Sequence, residues 1–168
     1  MTVGLLRSII ILPGSTLVFI PALLLWVSAK SKYAPQFVSP SSLLFWLAIV
    51  LAAIGIVLAG STVRLLLHYG EGTPAPWDPT RKLVLMGPYR YVRNPMISGA
   101  LLILLSEAIF FQSWPIFFWW FAFLIFNLLY IPLVEENNLE DRFGQDYLLY
   151  KTHVPRWIPT IRPWSGPQ

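Results

Sequence analysis

Residues 70–95 read GEGTPAPWDPTRKLVLMGPYRYVRNP, and this stretch divides the chain. Four prolines between Pro74 and Pro88 forbid a continuous helix, and Arg81, Lys82, Arg90 and Arg93 make it basic. On both sides the sequence turns apolar. Crossing a bilayer core takes about 20 apolar residues of helix, and four stretches approach that. Upstream they run from Leu5 to Ala29, interrupted by Pro13 and Pro21, and from Leu43 to about Leu67. Downstream they run from Met96 to about Gln112 and from Ile116 to Val134. Pro13 and Gly14 should kink the first. It lacks a small-residue cleavage site and so reads as a helix rather than a signal peptide. Ser39-Pro40-Ser41-Ser42 offers an N-cap for the second, whose Ala52, Ala53, Gly55, Ala59 and Gly60 suit close helix packing. Ser113-Trp114-Pro115 leaves room only for a tight turn, so the third and fourth spans form a hairpin. After Val134, Leu139, Phe143, Tyr147, Tyr150 and Val154 recur at helical spacing. They form one apolar stripe, suited to lying on the membrane or folding back over the loop.

The expected fold is therefore all-α: a polytopic membrane protein with about four transmembrane helices and a C-terminal amphipathic helix. It reads as a single membrane domain over residues 1–168. Residues 1–70 hold two N-terminal transmembrane helices, and residues 71–168 hold the loop, the hairpin and the last helix. Composition agrees: 56% of the 168 residues are hydrophobic, only 12% are charged, and mean hydropathy is +0.62. A soluble domain would carry about twice that charge. Cysteine is absent, and His68 and His153 lie far apart, so neither thiolate chemistry nor a metal is expected. A net charge of +4 and a pI near 9.6 would suit nucleic acid, but the charges sit between apolar spans, as the positive-inside rule places them. The basic loop and Arg142, Lys151, Arg156 and Arg162 put both termini and the polar face in the cytosol. Lys30 and Lys32 fall on the other side, against that assignment.

The loop and the segment after Val134 must lie on one membrane face, because the hairpin crosses and returns. Glu135-Glu136 directly after an apolar span is costly unless solvated or paired; an ordinary interfacial helix end is the plainer reading. Arg90 and Arg93 are three apart and could form a fork for a carboxylate or phosphate, or simply anchor headgroups. Pro95 fits the first helical position with Asn94 as N-cap, and such a terminus favours an anionic group. Glu107 is an intramembrane acid, a functional candidate by default, or a partly wet position near Gln112 and Ser113. Arg64 and His68 share a helix face near the loop.

GTPAPWDP at 72–79, RKLV at 81–84, GPYRYVRNP at 87–95, Glu135-Glu136, Phe143-Gly144, Tyr147, Tyr150 and Val154-Pro155 resemble the isoprenylcysteine carboxyl methyltransferase family and its phospholipid methyltransferase relatives. The resemblance covers roughly the last hundred residues. It implies an integral membrane methyltransferase, in a bacterial inner membrane, that uses S-adenosylmethionine without a Rossmann domain and acts on a small or lipidic acceptor among membrane lipids. By position it implies that Arg81, Lys82, Leu83, Val84, Tyr89, Asn94, Pro95, Met96, Ile97 and Glu135 bind the cofactor. Arg93 and Glu136 are the candidate catalytic residues. Asn94 and Ile97 stand where the family motif usually has His and Tyr. Ile131 stands where the prenylcysteine enzymes keep an arginine for the substrate carboxylate, which argues for a less anionic acceptor. An NADPH-dependent sterol-type reductase and a non-enzymatic membrane subunit are the alternatives; binding of S-adenosylhomocysteine against NADPH separates them.

Overall fold

Two runs of apolar sequence dominate the computed structural model, which describes residues 10–72 and 79–166. One is a helix of 27 residues and the other a continuous helical run, Trp114–His153, of 40. Both are long and apolar enough to cross a membrane, while the apolar helices Pro13–Ser28 and Pro95–Phe110 are shorter. Among the described residues there is no β-strand, and the chain is all-α. The surface is inverted relative to a water-soluble protein: Leu43, Ile56, Val57 and Phe118 are exposed by 61% or more. Only 11% of the most apolar stretch of the 27-residue helix is buried. Apolar exterior on this scale needs a lipid or protein partner.

The chain divides into two compact units, Met1–Val57 with Gly99–Ile125 and Leu58–Ser98 with Phe126–Gln168. In the first unit, a wide π-helical stretch Ile10–Phe19 contains Pro13 and passes into α1 (Ile20–Ser28). The irregularity expected at Pro13 and Gly14 is thus a run of wide turns, since proline supplies no N–H to the α ladder. Leu5 to Ile9 lie outside the described residues. α2 (Leu43–Tyr69) starts at Ser42, whose Oγ accepts the Leu44 N–H at 3.2 Å, satisfying a donor that would otherwise be orphaned. α3 (Pro95–Phe110) begins on the expected proline, and the Asn94 carbonyl accepts the Ser98 N–H at 3.0 Å. Gly55 confirms the close-packing expectation for α2, because a Cβ there would sit 2.7 Å from the Gly99 carbonyl and 2.8 Å from Ile103 Cγ1. The turn into α4 (Trp114–Tyr130) falls at 111–113, slightly before the expected position. The Ser113 N–H donates to the Ala108 carbonyl, and Ser113 Oγ accepts the Ile116 N–H.

After α4 the helix widens again over Ile131–Glu135, around Pro132, before resuming as α5 (Glu136–His153). π-turns of this kind frequently mark functional sites. α5 is not the single rod that its spacing suggests. Gly144 adopts φ 53°, ψ −128° and breaks it, a backbone conformation that only glycine takes without strain. The stripe survives the break: Tyr147, Tyr150 and Val154 are buried, with Leu139 and Phe143 packed against them. Leu83 and Leu85 join the same cluster. Of the two placements expected for this segment, the one over the loop is therefore found.

Candidate functional site

The site is built on the loop GPYRYVRNP in the second unit. Gly87–Arg90 forms a single 3-10 turn. Tyr91 and Val92 close it by donating their N–H groups to the Pro88 carbonyl at 3.0 and 3.2 Å. A tail beyond α5 clasps this loop. The Arg93 N–H donates to the Pro155 carbonyl at 2.9 Å, the Thr160 N–H to the Tyr91 carbonyl at 3.0 Å, and the Trp164 N–H to the Arg90 carbonyl at 2.9 Å. Arg90 Nε returns a bond to the Trp164 carbonyl at 2.7 Å. Arg90 and Arg93 therefore do not form a fork. The helical turn ends at Arg90, and the two arginines meet different partners.

Glu136 is the electrostatic centre. Its side chain is 2% exposed and takes a bidentate grip from Arg156, Nε to Oε1 at 2.6 Å and Nη2 to Oε2 at 2.9 Å. Arg93 Nη1 stands 2.9 Å from Oε1, an ion pair by distance although its direction is wrong for a hydrogen bond. Lys151 Nζ lies 3.4 Å from Oε2 and also pairs with Glu140. Burying a lone carboxylate is expensive, and partners with good geometry offset that cost. Burial pushes the Glu136 carboxyl up. The Arg156 hydrogen bond and the charges of Arg93, Arg156 and Lys151 outweigh it and hold the group below its ordinary value.

Its neighbour behaves oppositely. Among the described residues Glu135 makes no ion pair. Burial, and then the Glu136 charge, raise its carboxyl above the ordinary value. Burial and the Glu135 charge push the Tyr89 hydroxyl far upward, so Tyr89 and Glu135 lie within electrostatic reach of one another. Tyr150 stands behind Tyr89, its hydroxyl donating to the Tyr89 carbonyl at 2.6 Å. Burial, followed by the Glu136 charge, pushes the Tyr147 hydroxyl up to about 12. Adjacent acids pushed in opposite directions are a mark of functional sites.

Tyr89, Arg93, Glu135 and Glu136 are thus gathered, with Asn94 and Pro95 following Arg93 directly. Met96 and Ile97 are half-buried in the first turn of α3. Arg81 and Lys82 are exposed, and both N–H groups donate to the Gly70 carbonyl, at 2.7 and 3.1 Å. The Lys82 ammonium pairs with Glu71 at the surface. Leu83 packs on the Tyr147–Tyr150–Val154 cluster and Val84 is buried. Arg64 and His68 are exposed. Thr73 to Asp78, most of the GTPAPWDP motif, lie outside the described residues. Sequence reasoning missed the roles of Arg156, Lys151 and Trp164. Arg156 directly follows the Val154-Pro155 pair of the resemblance, but its partner is twenty positions away across the end of a helix, beyond any local periodicity.

Among the described residues no group of three or more His, Asp or Glu could hold a metal ion. A comparison with curated proteins finds no match. A family comparison does: residues 43–146, from the first residue of α2 to just past the Gly144 break, match phospholipid methyltransferase. That match spans well over half of the 168 residues, and the chain belongs to the phospholipid methyltransferase family.

Proposed function

We propose that this chain is an integral membrane methyltransferase that transfers a methyl group from S-adenosylmethionine to a small or lipidic acceptor, on the cytosolic face of the membrane. Its 168 residues act as one membrane domain. Family membership carries the methyltransferase reading. The observation that carries the site is the unlike state of two neighbouring acids. Glu136 is held by Arg156, Arg93 and Lys151, and Glu135 beside Tyr89 has no ion pair among the described residues.

The residues suit the cofactor chemically. It offers an ammonium and ribose hydroxyls that need acceptors, a carboxylate that needs donors, and an adenine that needs a flat apolar face. Glu135 is an acceptor without an ion-pair partner, the N-terminus of α3 behind Asn94 and Pro95 presents backbone donors, and Tyr89 offers a ring. When bound, the cofactor supplies a sulfonium methyl that leaves to the acceptor's lone pair as the carbon–sulfur bond breaks. Protein residues then mainly align the two groups and exclude water. Tyr89, Asn94, Pro95, Met96, Ile97 and Glu135, with the loop segment 81–84, hold the donor. Arg93 and Glu136 act next to the reaction by fixing the loop that carries these residues.

An anionic acceptor fits poorly. Ile131 is fully buried and offers neither charge nor hydrogen bond. Arg93 is engaged with Glu136, Arg90 Nε with the Trp164 carbonyl, and Arg64 lies exposed. We expect turnover of amine, thiol or weakly charged lipidic acceptors to exceed that of a prenylcysteine carboxylate, measured with radiolabelled cofactor. The decisive experiment is equilibrium binding of S-adenosylhomocysteine and NADPH to purified protein. Binding of the first alone supports the proposal, binding of NADPH alone would support a reductase, and binding of neither a non-enzymatic subunit.

A further inference from the structure

The first unit contains a carboxylate that the methyl-transfer site does not use. Glu107 lies more than three turns into α3, and its Oε2 is buried without a hydrogen-bond partner. It lines a cavity of about 100 Å³ together with Ala48, Ile49 and Ala52 of α2 and Ser106, Phe110 and Phe111. The cavity has a physical origin. α2 and α3 approach so closely at Gly55 that a Cβ would strike the Gly99 carbonyl. Within two turns along α2, the small side chains of Ala52 and Ala48 leave space instead. Among the described residues no basic side chain lines this space, although a carboxylate in an apolar wall is costly without a counter-charge. Aromatic rings crowd its rim. Phe110 lies 5.3 Å from Phe111, 5.9 Å from Phe37 and 5.9 Å from Phe45, centroid to centroid.

We infer that this cavity binds the alkylammonium headgroup of an amphiphile, a cationic head seated between Glu107 and the Phe110–Phe111 rings. The carboxylate supplies the opposite charge. The aromatic pair supplies ring faces that favour a methylated or protonated amine. Ala48 and Ala52 give the room a small head needs. On α2 the exposed Leu44 and Ile49, each more than 40% exposed, flank the Ala48–Ala52 side by helical spacing and give the chain of such an amphiphile a lipid-like path. A soluble cation would lack that second attachment.

The test is binding of radiolabelled decyltrimethylammonium to the full chain in neutral maltoside micelles, compared across wild type, Glu107→Gln and Ala52→Leu. The first variant is nearly isosteric and the second fills the cavity. Circular dichroism and S-adenosylhomocysteine binding, both expected to be unchanged, control for folding and for the separate methyl-transfer site. The wild type should bind saturably, Glu107→Gln should lose about ten- to a hundredfold in affinity, and Ala52→Leu should lose binding as well. Decanol should compete poorly, since it lacks the charge. Tetramethylammonium should compete poorly, since it lacks the chain. Equal binding by wild type and Glu107→Gln would overturn the inference, as would absence of saturable binding. Equal competition by decanol would leave only an apolar crevice, and equal competition by tetramethylammonium would make the ligand a free cation rather than an amphiphile.

Discussion

Glu136 is fully buried and Glu107 is half-buried with its Oε2 withdrawn from solvent, one in each unit of the chain, and the surroundings could hardly differ more. Around Glu136 stand two arginines and a lysine, drawn from the loop before α3 and from the segment after α4. Around Glu107 stand alanines, an isoleucine, a serine and phenylalanines. The first acid is satisfied from within the chain and acts as a fastener. The second has no counter-charge among the described residues, which is what the inferred cationic ligand would supply. Burial of a charged group alone therefore does not separate structural from ligand-binding roles; the inventory of neighbours does.

Several measurements would break or sharpen that contrast. Arg93→Ala should have the largest effect. It leaves the 2%-exposed Glu136 with Arg156 and Lys151 alone, so the loss should approach the lower end of the about 3–5 kcal/mol that breaking a buried pair outright costs. Unfolding in mild detergent should show that loss, whereas Glu107→Gln should change stability little. Equal losses would dissolve the distinction between fastener and open acid. Glu135→Gln should weaken S-adenosylhomocysteine binding by about 1.5–3 kcal/mol, the worth of a charge-assisted hydrogen bond, with unfolding nearly unchanged. Glu136→Gln should instead affect unfolding first. Indistinguishable behaviour of the two variants would return the pair to an ordinary helix end.

Acidity gives a smaller, directional test. The Glu136 carboxyl is held below its ordinary value of 4.5 in the folded chain. Its contribution to stability is present above 4.5 and is lost as pH falls through the lower, folded value. Wild type should lose stability over that window, and Glu136→Gln should follow a flatter course. Glu135 is shifted the other way. The free protein should take up a proton there above pH 4.5, so cofactor-analogue affinity should fall on acidification before the stability does. Smallest of all, Ser42→Ala should cost about 1 kcal/mol by removing the α2 cap, seen as faster hydrogen exchange in the first turn of α2.

Much of this architecture was readable from spacing. The N-cap at Ser42, the proline opening α3, the tight turn before α4 and the five-residue stripe of α5 all follow from local rules, because each depends on residues within a few positions of one another. The irregular stretches were only half legible. Pro13 announces a disturbance, but whether the backbone kinks or widens there depends on packing, and the widening around Pro132 lies inside a span expected to be regular. Gly144 broke α5 without any proline to announce it. In the site, the acidic pair and the GPYRYVRNP loop were conspicuous as charge and proline at the end of apolar spans. The division of labour within the pair was not, since Glu135 and Glu136 are chemically identical and only the position of Arg156 tells them apart.

The clasp on the loop also sets an order of events. Its bonds join residues separated by 69 positions between Tyr91 and Thr160 and by 74 between Arg90 and Trp164. The polypeptide between them includes all of α3, α4 and α5. A chain emerging from the ribosome can make the α2 cap and the hairpin turn early, because those contacts are local. The loop finds its partners only after the last helix has been made, and long-range contacts of this kind form slowly. Glu136 would meet Arg156 late in synthesis, so the grip that separates it from Glu135 forms among the last contacts of the chain.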